Sequence, residues 1–472
     1  MDEPDLTILR AKVRSIDSEL VGMLARRFRL VRKISRLKRR LKMEIVDPIT
    51  ERVVVDNFVA SAAKAGMDIA LAKQLASFVI ESSVDIQTSS RRHQTSGDFL
   101  LKGLSEAILR AQEKRHKLVR LDIGEPRFRT PRAVIREASK CLRQSPTILY
   151  GSSAGLTELS NAIAARLNRR YGTKITSSNI LITPGARFAI FAAIRSCVSS
   201  LEGVVVCHPA WPAYESCIAM VGARSLSVST RLEDKWDIDL NAMDDLLKLK
   251  PKMLVLNSPN NPTGKLLSGD KFSELMRLAE KRRIIVLSDE VYASYSSSPA
   301  PSVLEYPDCE AIYVNSFSKE FSMTGWRIAY AVAHESTITR MRRIVETTLT
   351  SVPEFVQRGA LAALKDTSGE ADRARCKILS RVRNACTELS KGDLEFHVPD
   401  GGFYVFPRIK GRNMDSTRFV NYILKRHGVG VLPGTIFGEY ESYLRLAITE
   451  SEEAVKTGIK RILRAIDEWR RE

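Results

Sequence analysis

Five short apolar runs through the middle of the chain restrict its fold more than any other feature. They are Asn179-Ile-Leu-Ile-Thr183, Gly203-Val-Val-Val-Cys207, Met253-Leu-Val-Leu-Asn257, Ile284-Ile-Val-Leu-Ser288 and Ala311-Ile-Tyr-Val-Asn315. Each is nearly continuous in apolar residues, the pattern of a strand buried on both faces. Helical segments separate them, and the alternation predicts an α/β domain around a mostly parallel sheet. In such a sheet the chemistry belongs in loops at the strand ends.

The informative residues fall at those ends. Thr183-Pro-Gly185-Ala186-Arg187 leads into a helix, whose first amides could receive a phosphate. His208-Pro-Ala-Trp211-Pro-Ala-Tyr214 brings a flat indole, and Asn257-Ser-Pro-Asn-Asn261-Pro-Thr-Gly264 closes a turn. Ser288-Asp289-Glu-Val-Tyr292 follows the fourth run. After the fifth, Ser316 and Ser318 place hydroxyls beside Lys319, with Gly325 and Arg327 downstream. Taken singly, the tryptophan reads as core, the Asn-Pro-Thr-Gly as a turn and the lysine as surface. Together they suit a phosphorylated cofactor whose aldehyde bonds to the Lys319 amine while Arg327 forks onto its phosphate.

From about residue 99 onward this set resembles the class I pyridoxal-phosphate aminotransferases of the aspartate aminotransferase family. The resemblance implies pyridoxal 5'-phosphate as cofactor, bound covalently by Lys319, which would also carry the proton between substrate carbon and cofactor. Asp289 would keep the pyridine nitrogen protonated, and Asn261 and Tyr292 would bond the phenolic oxygen. Trp211 would stack on the ring. Gly185, Ala186, Arg187, Ser316, Ser318 and Arg327 would hold the phosphate, with Tyr150 reaching it from a second subunit. Arg445, in Tyr443-Leu-Arg445-Leu-Ala-Ile, would fork onto the substrate α-carboxylate, with Gly124 of Asp122-Ile-Gly-Glu-Pro126 beside it. Asn261 and Trp211 would also touch substrate. Relatives commonly have Glu-Pro-Asp-Phe after that glycine; here Arg127 and Arg129 stand at the mouth, where a second carboxylate could meet them.

The first ninety residues have another texture. From Leu6 to about Lys42 there is one glycine and no proline, and Leu9, Val13, Ile16, Leu20, Leu24, Leu30 and Ile34 recur at helical spacing. Asp47 is the expected N-cap of a second helix that starts at Pro48 and runs to about Lys64. Gly66 breaks the chain before a third helix, about Asp68 to Gln87. Arg27 and Lys38 lie eleven positions apart, about three turns, and so share a face, whereas Arg10 emerges roughly a quarter turn away. Asp47 and Glu51 form an i,i+4 pair, as do Ser83 and Gln87.

This stretch resembles the all-helical chorismate mutases across about residues 5–90, on Leu9-Arg-x-x-Val-x-x-Ile-Asp17, Leu24-Ala-x-Arg27, Lys38, Asp47-Pro-x-x-Glu51-Arg52 and Glu81-Ser-Ser83-x-x-x-Gln87. The resemblance implies an intertwined dimer in which Arg27, and Arg10 of the other subunit, clamp the substrate carboxylates. Lys38 and Gln87 would donate to the ether oxygen and Glu51 would accept from the ring hydroxyl. Asp47 and Ser83 would line the pocket. Such a rearrangement needs no nucleophile, cofactor or metal, only restraint and fixed charge.

The expected organisation is a helical domain at 1–90, a polar linker at 91–98 and an aminotransferase domain at 99–472. The last divides into a large cofactor portion, about 141–334, and a smaller α+β portion from 99–140 plus 335–472. Seven scattered cysteines without CxxC spacing, no long apolar run and no apolar leader predict a cytoplasmic protein outside membranes. The formal charge of +19 fits anionic substrates, nucleic acid or lineage bias. A cofactor-sensing transcription regulator would need a short recognition helix after a tight turn, whereas the basic run Arg26–Lys42 lies inside one long helix, so nucleic acid is not expected as a partner. The expectation is a bifunctional homodimeric enzyme of aromatic amino-acid synthesis. It would rearrange chorismate to prephenate and transaminate prephenate or an aromatic 2-oxo acid, with glutamate or aspartate as donor. A broad aspartate aminotransferase is the alternative for the second activity. A lyase on the same fold would carry the same cofactor motifs.

Overall fold

A computed structural model describes residues 3–40, 48–88, 97–114, 118–144, 147, 149–411 and 414–471. The chain forms two compact units, Met1–Thr95 and Ser96–Glu472.

The first unit is three helices, α1 (Glu3–Arg40), α2 (Pro48–Lys64) and α3 (Ile69–Thr88). Gly66 takes the left-handed conformation (φ +67°) between α2 and α3, and Asp68 caps α3 by accepting from the Leu71 amide at 2.9 Å. The predicted cap at Asp47 lies outside the described residues. One stripe of α1 is enclosed: Val31 and Ser35 are buried and Leu24, Arg27, Phe28 and Lys38 half-buried, all at helical spacing. The earlier turns are not covered. Ile8, Leu9, Val13, Ile16, Leu20 and Val21 are exposed, and each such side chain would contribute about 1.5–3 kcal/mol if fully buried.

The second unit is built on a seven-stranded sheet: β1 (Ile180–Thr183), β2 (Gly203–His208), β3 (Arg224–Ser229), β4 (Met253–Asn257), β5 (Ile285–Asp289), β6 (Ala311–Ser316) and β7 (Ala329–Val332). Their order is β1-β7-β6-β5-β4-β2-β3, and β7 alone runs against its neighbours. Both faces are covered, as the apolar runs require. Val204, Val206, Val255, Leu287 and Val314 pack on one side with Ala189, Ile190 and Ile194. Val205, Leu254, Leu256, Val286 and Tyr313 pack on the other with Phe272 and Leu275. Two strands lie outside the five predicted runs. β3 (Arg-Ser-Leu-Ser-Val-Ser) is one of the two edge strands and buries only alternate residues, so its sequence alternates as well. β7 is only four residues long.

A smaller layer completes the unit. Strand β8 (Leu444–Ala447) pairs antiparallel with Tyr404–Val405 on one side and Leu432–Pro433 on the other. Its Ala447 amide donates to the Leu121 carbonyl at 2.7 Å, which fixes the 121–124 segment beside it. None of the described helices is long and apolar enough to cross a membrane.

Candidate active sites

In the first unit, the Arg27 guanidinium donates to the Val79 carbonyl at 3.3 Å and to the Ser83 hydroxyl. Partial burial lowers its pKa from the usual arginine value. Lys38 lies on the same stripe, roughly 16 Å further along the axis, a gap that two long side chains can share with a small dianion between them. Glu51 and Gln87 fall on α2 and α3; their side chains, and Asp47 as a whole, lie outside the described residues. Arg10 is exposed and roughly 25 Å along α1 from Arg27, so this chain brings Arg27, Ser83 and Lys38 to one face without it.

In the second unit the strand ends converge. Gly185 precedes the helix Ala186–Cys197 with φ +98°, and a Cβ there would overlap the Arg327 guanidinium. Glycine is required on both counts. Arg327 is itself left-handed (φ +52°) and donates to the Thr324 carbonyl at 3.0 Å, so its fork lies over the first turn of that helix. Ser316 caps the single turn Phe317–Glu320. Its Oγ accepts from the Ser318 amide at 3.0 Å and donates to the Ile328 carbonyl at 3.2 Å. The Ser316 proton is therefore committed to the backbone, a use that spacing could not reveal.

Lys319 follows on that turn. Tyr295 donates its hydroxyl to the Lys319 carbonyl at 2.9 Å, and Glu320 is ion-paired with Arg166. The Lys319 Nζ donates to the Gly124 carbonyl at 2.7 Å. Part of the side chain touches solvent, but cleft walls enclose the amine and depress its pKa to about 8; nearby Arg445 and Arg327 add to the depression and Glu125 opposes it.

Asp289, at the end of β5, is buried. Tyr214 donates to it at 2.7 Å and the Val291 amide at 3.3 Å. Desolvation raises its pKa to about 6 against those two donors. Asn257 ties the neighbouring strand in: its Nδ2 donates to the Asp289 carbonyl at 2.9 Å, and its Oδ1 accepts from the Asn261 amide at 2.8 Å. Trp211 is edge-on to Tyr214, and the Arg187 guanidinium stacks 4.7 Å from the indole. Arg187 is therefore engaged with the indole as well as close to the helix N-terminus.

Arg445 projects from β8 with its guanidinium buried. One nitrogen donates to Asn261 Oδ1 at 3.4 Å and another to the Asp122 carbonyl, while Nε has no partner. A buried unpaired donor is costly unless something accepts from it, and a carboxylate is the natural acceptor. The Tyr292 and Tyr404 hydroxyls are 3.0 Å apart. Tyr150 is 88% exposed and stands away from these groups. At the mouth, Arg127 is ion-paired with Glu450 at 2.9 Å, so a second substrate carboxylate would have to displace that partner.

Lys319, Asp289, Asn261, Tyr292, Trp211, Gly185, Arg327, Gly124 and Arg445 thus converge on one cleft. Tyr214, Tyr295, Asn257 and Tyr404 join them without having been singled out from sequence. For Tyr404 a signal existed in Gly401-Gly402: a Cβ on Gly401 would overlap Pro259, and Gly402 has φ +72°. Such a glycine pair marks a close backbone approach. The glycine cradle under Arg327, the buried Asp289 and the depressed Lys319 amine fit a phosphorylated pyridine aldehyde. Among the described residues no group of His, Cys, Asp and Glu could hold a metal ion.

Comparison with known proteins gives the families of the two units. The family model for aminotransferase class I and II matches residues 116–462, and that for chorismate mutase type II matches residues 9–88. The aspartate aminotransferase of Sulfolobus acidocaldarius is 32% identical over 372 residues, 76% of this chain and 92% of the relative. Among solved structures, the aspartate aminotransferase of Thermotoga maritima superposes with a TM-score of 0.74 at 29% identity, covering 78% of this chain and 97% of its own. The aromatic aminotransferase of Pyrococcus horikoshii gives 0.72 at 29%, covering 77% and 99%.

Proposed function

The chain belongs to the class I and II aminotransferases and carries a type II chorismate mutase domain ahead of that enzyme, and we propose that its two activities act in sequence, the second aminating the 2-oxo acid that the first produces. It is an isomerase and a pyridoxal-phosphate-dependent transferase on one chain. The observation that carries the coupled reading is this covalent union. Rearrangement of chorismate yields prephenate, whose side chain is a 2-oxo acid, the functional group an aminotransferase accepts. The reading places the chain in aromatic amino-acid synthesis, as a homodimer, with glutamate or aspartate as donor. A broad aspartate aminotransferase is the second reading, favoured by the activity named for the Sulfolobus and Thermotoga relatives.

In the helical unit, Arg27 holds one carboxylate and Lys38 donates to the ether oxygen as its bond to carbon stretches. Gln87 assists Lys38, Glu51 accepts from the ring hydroxyl, and Asp47 and Ser83 close the pocket. Arg10 of a second copy supplies the other clamp; the uncovered apolar turns around it support this. In the larger unit, bound pyridoxal phosphate supplies an aldehyde for covalent capture and an electron-withdrawing ring. Lys319 Nζ would hold that cofactor and would carry a proton to or from the substrate α-carbon. Asp289 holds a proton on the ring nitrogen, its position set by Tyr214 and the Val291 amide. Asn261 and Tyr292 would bond the phenolic oxygen, and Trp211 would stack on the ring. Gly185, Ala186, Arg187, Ser316, Ser318 and Arg327 would hold the phosphate, with Tyr150 of a second copy. Arg445 fixes the substrate α-carboxylate through the donors left open in its buried fork, beside Gly124.

Incubating the protein with chorismate, glutamate and pyridoxal phosphate, and resolving products by mass, tests the sequence of reactions. Consumption of chorismate with appearance of aminated prephenate is expected. Prephenate accumulating unaminated, while a parallel incubation with oxaloacetate and glutamate yields aspartate, would favour the second reading.

The Lys319 amine makes a pH prediction. Capture requires the neutral amine, and burial holds its pKa near 8. The rate at which cofactor-free protein captures added pyridoxal phosphate should therefore rise about tenfold per unit below pH 8 and flatten above it. Stopped-flow absorbance would read this directly. A rise continuing past pH 10, as for an ordinary lysine, would contradict the depressed amine.

A further inference from the structure

Tyr404 stands where three groups of the aminotransferase site meet. It is 2% exposed, and its hydroxyl is 3.0 Å from that of Tyr292. The same hydroxyl lies against Gly124, where any Cβ would overlap it. The Gly124 carbonyl, in turn, accepts from Lys319. The Tyr404 ring lies 4.5 Å from the centre of the Arg445 guanidinium.

A phenol has one proton to give. If Tyr292 donates its proton to the cofactor's phenolic oxygen, its 3.0 Å contact with Tyr404 remains a hydrogen bond only when Tyr404 is the donor. A bond received at the oxygen polarises the bond given by the same hydroxyl. We infer that Tyr404 is a positioning residue with two separable parts: its hydroxyl donates to Tyr292 and strengthens that residue's hold on the cofactor's phenolic oxygen, and its ring holds the planar Arg445 fork in place for the incoming carboxylate. This rests on the roles proposed above for Tyr292 and Arg445. It adds a residue acting on both, so that cofactor tuning and substrate binding share one side chain.

The two parts can be removed one at a time in the pyridoxal phosphate-loaded protein. Tyr404→Phe deletes one oxygen and keeps the ring; Tyr404→Leu deletes both functions. Two quantities are read: the pH midpoint of the bound cofactor's visible absorbance, and the glutamate concentration that half-saturates the change in that absorbance. Tyr404→Phe should raise the midpoint by about half a pH unit, the scale of one neutral hydrogen bond partly transmitted, and leave the glutamate response where it was. Tyr404→Leu should raise the midpoint similarly and also raise half-saturating glutamate about fivefold, the loss of a buried cation–ring contact. A midpoint that moves in Tyr292→Phe but not in Tyr404→Phe would make Tyr404 a space-filler and overturn the inference while sparing the site. If the wild-type protein binds pyridoxal phosphate without a pH-dependent band, the reading of the site falls first. Melting temperatures of the variants separate either result from unfolding, and Tyr404→Phe, one atom smaller, decides the hydroxyl claim even if Tyr404→Leu is unstable.

Discussion

Lys319→Ala is expected to lower transamination by about 10³-fold or more, since a group that both captures the cofactor and moves the substrate proton has no substitute within reach. The same variant should rearrange chorismate at the wild-type rate, because its change lies in the other unit and no lysine-bound cofactor enters that reaction. Both assays run on one preparation, so loss of both activities would report misfolding, and loss of neither would remove Lys319 from the mechanism. The geometry gives the reason for so large an effect. The turn carrying Lys319 is fixed by Ser316 at its start, by Tyr295 at its carbonyl and by Arg166 on Glu320. The amine therefore arrives at one place beside Gly124, already depressed toward the neutral form.

Arg27→Ala should have the mirror effect, lowering mutase turnover by on the order of 10²–10³-fold while leaving transamination intact. Arg27→Lys should fall between, because a point charge replaces a fork. Arg27 also joins α1 to α3 through Val79 and Ser83, so its removal could act through folding instead. Helical content and melting temperature decide: a variant that melts like the wild type yet rearranges chorismate hundreds of times more slowly has lost charge at the reacting atoms. Activity lost only in proportion to melted protein would make Arg27 a structural tie.

The two units differed in how far their sequence could be read. In the larger one, strands buried on both faces have no freedom to be polar, so their positions are written as apolar runs. Their ends are where a loop can hold chemistry, and Lys319 and Asp289 stand there; the resemblance to the aminotransferases supplied their roles, and that of Arg445 on a strand of the smaller layer. Tyr214 was not, since a buried tyrosine in sequence looks like any core aromatic until its hydroxyl is seen against Asp289, and for Tyr404 the only signal was the glycine pair before it. Ser316 shows the same limit: spacing puts a hydroxyl beside the lysine, but only the fold shows that hydroxyl bonded to the Ile328 carbonyl.

In the helical unit, spacing alone put Arg27 and Lys38 on one face, because 3.6 residues per turn leaves no choice once the helix is continuous. The distance from Arg27 to Arg10 along α1 is just as inescapable, and it puts Arg10 beyond reach of the Arg27 face within one chain. Local periodicity and residue chemistry, then, determined the class of each unit, the strand ends that carry the chemistry and most of the charged groups. Tertiary structure alone decided which hydroxyl donates to which oxygen, that Arg127 is held by Glu450, that Arg187 stacks on Trp211, and that Arg445 keeps one buried donor open. These depend on contacts at a few ångströms between residues in different elements, 24 positions apart for Arg187 and Trp211 and 323 for Arg127 and Glu450, and no local pattern in a chain encodes them.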